Sequence, residues 1–250
     1  STACNDSINK LDPPNLVIYP ISPDRQPSAH GKNNIMDTKQ VFRAIVSEES
    51  AAHSASLEKS SEPKVFQGTK GNDVYYATHT ADNIAEKANE GQDTVYSNVS
   101  YTLPNNVENL VLTGSDNIYG AGNNSDNVLV GNSGNNRLYS GRGNDMVYGG
   151  AGHDNINGGE GDDQLFGDEG NDILDGAAGN DVLQGGEGND TYLFGEKSGK
   201  DTVIDRQGSN SIRFLDGLSA DDLTVTAVRN AEGGQDWRIA VKHTQSVLTI

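Results

Sequence analysis

Aspartate recurs at every ninth residue through the middle of the chain, as Asp145, Asp154, Asp163, Asp172, Asp181 and Asp190, and Asn127 and Asn136 occupy the two preceding places in the same phase. Periodic carboxylates suit two chemistries. One is acid/base work by a carboxyl pair, as in glycoside hydrolysis. The other is ligation of a hard cation, which wants six to eight oxygen donors. The strict period favours ligation. Glycine precedes each aspartate at a fixed distance, as Gly143, Gly152, Gly161, Gly170, Gly179 and Gly188, and further back as Gly141, Gly150, Gly159 and Gly186. Glycine supplies the positive φ angles of tight turns, and such turns present main-chain carbonyls beside a carboxylate. Other chemistries lack their residues. His30, His53, His79, His153 and His243 are scattered without an HExxH spacing, and no GxSxG nucleophile motif occurs. We expect no catalytic residue in this chain, and hence not an enzyme.

The elements that must position these carboxylates follow from the repeat. Read from Gly149, the chain runs GGAGHDNIN, GGEGDDQLF, GDEGNDILD, GAAGNDVLQ, GGEGNDTYL. The phase extends back through SGRGNDMVY, GNSGNNRLY and GNNSDNVLV to Gly122, giving eight units without a slip over 122–193. Six residues form a turn and three a short strand. The eighth position is always large and apolar: Leu129, Leu138, Val147, Ile156, Leu165, Leu174, Leu183, Tyr192. In a three-residue strand only the middle side chain points one way while its neighbours point the other. Two units therefore make one flattened coil of 18 residues (2 × 9) with two turns and two strands. Stacked coils give an all-β, parallel β-roll with a thin apolar core between two sheets.

The flanks are less regular. Residues 64–121 read as a degenerate version and N-terminal cap, with one isolated unit, GTKGNDVYY at 68–76, half of another, EGQDTVY, and strand-like stretches at Ser97–Leu103 and Val107–Thr113. The roll is expected over 122–203 and a C-terminal antiparallel β cap over 204–250, with strands at Leu223–Val228, Trp237–Val241 and Ser246–Ile250 and a hairpin loop at Asn230–Gly234. Residues 1–63 read as a linker or the tail of a preceding domain, with a strand at Leu16–Ile21 and a short helix at Lys39–Glu49. Val128, Val130, Tyr139, Tyr148 and Phe166 are expected to form apolar contacts on one outer sheet face.

Composition agrees with a cation-dependent fold. Acidic residues outnumber basic ones 36 to 18, and only 33% of residues are hydrophobic. A net charge of −18 disfavours nucleic acid and anionic lipid as partners. Such a chain tends to disorder unless counter-charge is supplied, and divalent cations supply it. Cys4 is the single cysteine, so no intrachain disulfide staples the fold. No apolar run is long enough to span a membrane, and no classical signal peptide is visible.

Units such as GGAGHDNIN and GGEGDDQLF resemble the RTX nonapeptide, GGxGxD followed by x-apolar-x, of bacterial type I-secreted toxins, proteases, lipases and adhesins. SNVSYTLPNNVENLVLTG at 97–114 and FLDGLSADDLTVTAV with WRIAV towards the C-terminus resemble segments that flank such arrays. The resemblance implies an RTX solenoid binding several Ca2+ ions, each between a turn and the turn one coil above. The sixth-position carboxylates and the main-chain carbonyls at the glycine positions are the implied ligands. That pairs Asp145 with Asp163, Asp154 with Asp172, Asp163 with Asp181, and Asp172 with Asp190. Sites using Asn127 or Asn136 lose a charge and are expected to be weaker, Asp201 is expected to complete a site after Asp181 or Asp190, and Asp73 and Asp93 stand outside the array. The resemblance further implies passage through a type I secretion machinery, an extracellular bacterial location, and folding on calcium once outside. The expected role is the non-catalytic folding and secretion module of a larger toxin or adhesin. The alternative is the same module in a secreted hydrolase or polysaccharide-modifying enzyme whose catalytic domain lies outside this chain.

Overall fold

A computed structural model of the chain describes residues 58–205, 207–229 and 235–250. The strand at Leu16–Ile21, the helix at Lys39–Glu49 and the hairpin loop at Asn230–Gly234 lie outside the described residues.

Glycine-rich turns alternate with short strands, and successive strands fall on opposite sides of a flattened coil. One sheet contains β2 (Val74–Ala77), β4 (Thr94–Ser97), β6 (Asn109–Leu112), β8 (Val128–Val130), β10 (Met146–Tyr148), β12 (Gln164–Glu169), β14 (Val182–Glu187) and β16 (Lys200–Val203) in that spatial order. The facing sheet contains β5 (Tyr101–Thr102), β7 (Tyr119–Ala121), β9 (Arg137–Arg142), β11 (Asn155–Glu160), β13 (Ile173–Ala178), β15 (Thr191–Phe194) and β17 (Ser211–Phe214). A two-stranded pair, β1 (Val65–Gln67) and β3 (Asn83–Ala85), lies ahead of them.

Pairing within the array is parallel with an 18-residue register, as in Val147↔Leu165 and Ile156↔Leu174. This is the coil length that the nine-residue unit dictates. Several strands run to six residues rather than three, because identical coils keep pairing into the turn glycines, as in Gly159↔Gly141. The eighth-position side chains form the core: Leu129, Val147, Leu165 and Leu183 from one sheet meet Leu138, Ile156, Leu174 and Tyr192 from the other, each at most 2% exposed.

Both ends continue the sheets. Towards the N-terminus the register loosens to Tyr75↔Val95, Val95↔Leu110 and Leu110↔Leu129, so coil length varies while the stack is unbroken. At the other end β20 (Val247–Thr249) adds parallel to β16, then β19 (Gln235–Val241) and β18 (Leu223–Arg229) follow antiparallel. The antiparallel strands end the parallel stack.

One expected grouping is corrected. Val128, Val130, Tyr148 and Phe166 do share a face with Tyr76, Tyr96, Val111 and Met146, and Tyr148 stacks on Phe166 with ring centroids 4.9 Å apart. Tyr139 does not join them. It lies on β9 of the other sheet and is exposed, because units nine residues apart alternate between sheets and only units 18 apart share a face. Tyr192 is buried, as its eighth position predicts, and Trp237 on β19 is half-buried.

Candidate metal centre

The sixth-position residues form two columns, one along each edge of the roll. Along the first, the main-chain N–H of Asn127 donates to Asp145 Oδ1 (2.7 Å), that of Asp145 to Asp163 Oδ1 (2.8 Å), that of Asp163 to Asp181 Oδ1 (2.8 Å) and that of Asp181 to Asp201 Oδ1 (3.1 Å). Along the second, the N–H of Asn136 donates to Asp154 Oδ1 (2.7 Å), that of Asp154 to Asp172 Oδ1 (2.7 Å) and that of Asp172 to Asp190 Oδ1 (2.8 Å). The structure thus brings together each expected pair, and it places Asp201 after Asp181 rather than after Asp190.

Each carboxylate uses one oxygen in this column. The other, Oδ2 of Asp145, Asp154, Asp163, Asp172, Asp181, Asp190 and Asp201, is buried without a hydrogen-bond partner. All seven residues are 2% exposed or less. A buried, unpaired carboxylate is strongly disfavoured, and the carboxyls respond. Burial pushes Asp145, Asp172 and Asp181 up to about 6, Asp154 and Asp163 to about 7, and Asp201 to about 8. Repulsion between neighbours in a column adds to this, as Asp181 does for Asp163. Neutral acids would relieve the burden at low pH. At neutral pH a cation with several open coordination positions relieves it, and the donor set is all oxygen. The residues therefore fit a hard divalent ion.

The glycines explain why this arrangement fits. A Cβ on Gly149 would lie 2.6 Å from Asp154 Oδ2 and 2.5 Å from the carbonyl oxygen of Gly167 in the next coil. Gly158 and Gly167 stand in the same relation to Asp163 and Asp172. First-position glycines thus keep a side-chain-free cradle beside the orphan oxygens of Asp154, Asp163, Asp172, Asp181 and Asp190, with a carbonyl of the next coil close to the first three. Sequence reasoning named the second- and fourth-position glycines instead. The fourth-position ones, Gly143, Gly152, Gly161, Gly170 and Gly188, hold φ between 115° and 139°. Their carbonyls, and that of Gly179, stack against a glycine of the adjacent coil. The second-position Gly141, Gly150, Gly159 and Gly186 hold φ between 96° and 112°. The carbonyl of Gly150 accepts the N–H of Glu169, and that of Gly179 accepts the N–H of Lys200. The first-position signal was present in the sequence as Gly122, Gly131, Gly149, Gly158, Gly167, Gly176 and Gly185, interrupted by Ser140. Ser140 fills its cradle by donating its hydroxyl to Gly158 O (2.6 Å).

The leading units differ. Asn127 Oδ1 accepts the N–H of Asn123, and its amide donates to the carbonyls of Val107 and Glu108. Asn136 is likewise satisfied, through Asn132. Neither leaves an orphan oxygen, because an amide carries its own donors. Further upstream, the N–H of Asp73 donates to Asp93 Oδ1 (2.8 Å) and that of Asp93 to Glu108 Oε2 (2.8 Å), so the column extends into the irregular coils. Carboxylate oxygens of Asp73, Glu86 and Asp93 all lie within 4.8 Å of one another.

A second, outer column was not foreseen. Asn144 N–H donates to Asp126, Asp162 N–H to Asn144, and Asn180 N–H to Asp162. On the opposite edge His153 N–H donates to Asn135, and His153 Nδ1 accepts the N–H of Asn171. His153 is exposed, yet it is a rung of this column.

The two sheets, glycine turns and oxygen-lined columns define a cation-binding repeat solenoid. Comparison with known families agrees: the RTX calcium-binding nonapeptide repeat, in four copies per match, covers residues 121–156 and 157–192. Residues 121–192 are therefore RTX calcium-binding repeats, and the solenoid they build is a β-roll. Among curated proteins, the chain is similar to the endo-1,3-1,4-beta-glycanase ExsH of Rhizobium meliloti (strain 1021), 44% identical over 62 residues. It is also similar to the endo-1,3-1,4-beta-glycanase EglC of the same strain, 37% identical over 62 residues. Each match covers 25% of this chain and 13% of the relative, so the chain spans only a small part of either protein. Among the described residues, no helix is long and apolar enough to cross a membrane.

Proposed function

We propose that this chain is a calcium-dependent folding module of a larger exported bacterial protein, with Asp145, Asp154, Asp163, Asp172, Asp181, Asp190 and Asp201 as carboxylate ligands. The observation that carries the reading is the set of seven buried carboxylate oxygens without a donor. Bound ions supply counter-charge to those oxygens. The residues hold the ions through one carboxylate oxygen each, with the facing glycine carbonyls as further donors. The other oxygen of each aspartate fixes its orientation through the column of N–H bonds. Without cations the carboxylates repel and the thin core does not hold the coils together. Binding free energy then becomes folding free energy.

In this reading the chain stays an expanded polyanion where free calcium is low and passes a type I secretion machinery in that state. It folds outside, where calcium approaches the roughly 10⁻⁴–10⁻³ M range typical of extracellular modules. Residues 64–121 and 204–250 cap the open edges of the stack, as solenoids require. Circular dichroism of the chain in chelator and in calcium tests this. The expected result is β-structure only with calcium; full β-structure in chelator would overturn it.

Of the two parents considered, the relatives favour the secreted hydrolase over the toxin or adhesin, since both are named endo-1,3-1,4-beta-glycanases. The chain contributes folding and export rather than catalysis, and a polysaccharide-acting domain belongs elsewhere in the parent polypeptide. The test is hydrolysis of a β-1,3-1,4-linked glycan by the full polypeptide and by this segment alone. Activity in the former and none in the latter is expected.

A further inference from the structure

The second column of carboxylates does not end at Asp190. β15 pairs with β17 at a 20-residue register, Thr191↔Ser211, so the coil after Asp190 is two residues longer than those of the array. Asn210 takes the sixth position there, and its Oδ1 accepts the N–H of Asp190 at 2.8 Å. The substitution of an amide for a carboxylate removes one charge from the last pair. Counting back five residues, as in every repeat, the first position of this turn is Asp205 where the array has glycine.

That exchange is consequential because of what the first position does. In the array, the first-position residue of one coil faces the orphan oxygen of the coil below, as Gly167 O faces Asp154 Oδ2. Asp205 occupies this same place above Asp190 and brings a side chain to it. Asp190 Oδ2 is buried without a donor, and Asp190 and Asp205 are 1% and 3% exposed. The Asp190 carboxyl is raised by burial first, and the facing charge of Asp205 raises it further.

Tyr192 holds this arrangement. It is the one aromatic among the eighth-position residues of the array. Its hydroxyl donates to Asp205 Oδ2 and accepts the N–H of Gly185 at 2.7 Å. Gly185 is the first-position glycine against which Asp190 Oδ2 packs. The other oxygen, Asp205 Oδ1, accepts the N–H of Gln207 at 3.2 Å. Both carboxylates are thus oriented by hydrogen bonds, with Asp190 Oδ2 the one oxygen of the two groups left without a donor.

We propose that Asp190 and Asp205, with Asn210, form a further calcium site that joins the last coil of the array to the C-terminal cap. This rests on the proposed calcium reading of the array. The first position supplies the carboxylate that the sixth position lost, so the site keeps two negative charges. Asp190 and Asp205 are the ligands, and Tyr192 is a positioning residue.

The test counts calcium ions bound to the whole chain by native mass spectrometry, with Trp237 fluorescence following the cap, since it is the single tryptophan and lies on β19. Asp205→Asn is expected to bind one ion fewer than the parent chain and to need more calcium for the Trp237 change. Asp205→Asn combined with Asn210→Asp places the carboxylate back at the sixth position and is expected to restore the ion. Tyr192→Phe is expected to weaken this ion by about tenfold, as loss of an orienting partner does. Full ion count in Asp205→Asn overturns the inference, as does failure of the Asn210→Asp rescue. Asp163→Asn serves as the reference: if it also keeps every ion, the calcium reading of the array fails, whereas its loss beside an unchanged Asp205→Asn count sinks the terminal site alone.

Discussion

Asp163 Oδ1 accepts the main-chain N–H of Asp145, 18 residues earlier and 2.8 Å away, while Asp163 Oδ2 is buried with no donor at all. One oxygen closes the backbone of the coil below, and the other is the oxygen proposed to ligate calcium. In that reading orientation and ligation are divided between the two oxygens of one carboxylate, and the same division of hydrogen bond and orphan oxygen repeats up each edge of the roll.

The first prediction concerns pH. Burial raises the carboxyls of Asp145, Asp154, Asp163, Asp172, Asp181 and Asp201 from the ordinary 3.8 to between about 6 and about 8. The metal-free folded state therefore keeps protons that the unfolded chain has released. Its stability falls as pH rises from about 4 through those raised values, and below about 4 both states are protonated and no penalty remains. In chelator, lowering the pH from 8 to 5 should increase β-structure in the circular dichroism spectrum. With calcium the dependence reverses, because protons and cations compete for the same oxygens. Apparent calcium affinity should drop over this window, and calorimetry in buffers of different ionisation enthalpy should show proton release near pH 6. A metal-free chain with less structure at pH 5 than at pH 8 contradicts this account.

Much of this was legible in the sequence. A fixed period of nine with an apolar eighth position dictates the coil, the two sheets and the 18-residue register, and the sixth-position column follows. What was illegible depended on distances across coils. The outer columns, through Asn144 and Asp162 on one edge and His153 on the other, use a variable position, so composition gave no pattern to read. The role of first-position glycines needed the closeness of Gly149 to both Asp154 and Gly167. Asp205 was missed because it stands at a first position, whereas every carboxylate expected from the sequence stood at a sixth.

The leading units give the second prediction. Asn136 satisfies itself through Asn132 and leaves no orphan oxygen. Asn136→Asp replaces that internal amide with a carboxylate facing Asp154 one coil above. The variant should bind calcium more strongly at this end or take up an additional ion, read by isothermal titration calorimetry. Unchanged calcium binding would mean that the second column does not extend to this unit.

Two turn positions give opposite expectations for small changes. Gly161 has φ 134° with the carbonyl of Gly143 where a Cβ would stand, so Gly161→Ala meets both backbone strain and a clash with main chain. It should interrupt the roll locally and lower calcium uptake. Ala177 already holds φ 67° at the second position of its unit. Ala177→Gly relieves a left-handed penalty of about 1–2 kcal/mol and adds about 0.4–1 kcal/mol of unfolded-state entropy. The net is a gain of roughly 0.5 kcal/mol, measurable by denaturant unfolding in saturating calcium. A strong loss of stability in Ala177→Gly would show that its methyl group makes contacts that this account omits.

The core gives the last prediction, and its size depends on how the ions share the transition. Leu165 is fully buried between the sheets, so Leu165→Ala should cost about 2–5 kcal/mol. Taking about 3 kcal/mol, the folding equilibrium falls roughly 100-fold. In the proposed reading calcium drives folding, so the loss is offset by raising its concentration rather than made permanent. If about six ions bind in one cooperative step, the 100-fold is divided as a sixth root, and the midpoint rises only about twofold. If a single ion governed folding, the same substitution would move the midpoint about 100-fold. A calcium titration of Leu165→Ala followed by circular dichroism therefore distinguishes a cooperative array from one dominant site. The structure, with equivalent carboxylates along both edges and one continuous core, predicts the small shift with an unchanged steepness.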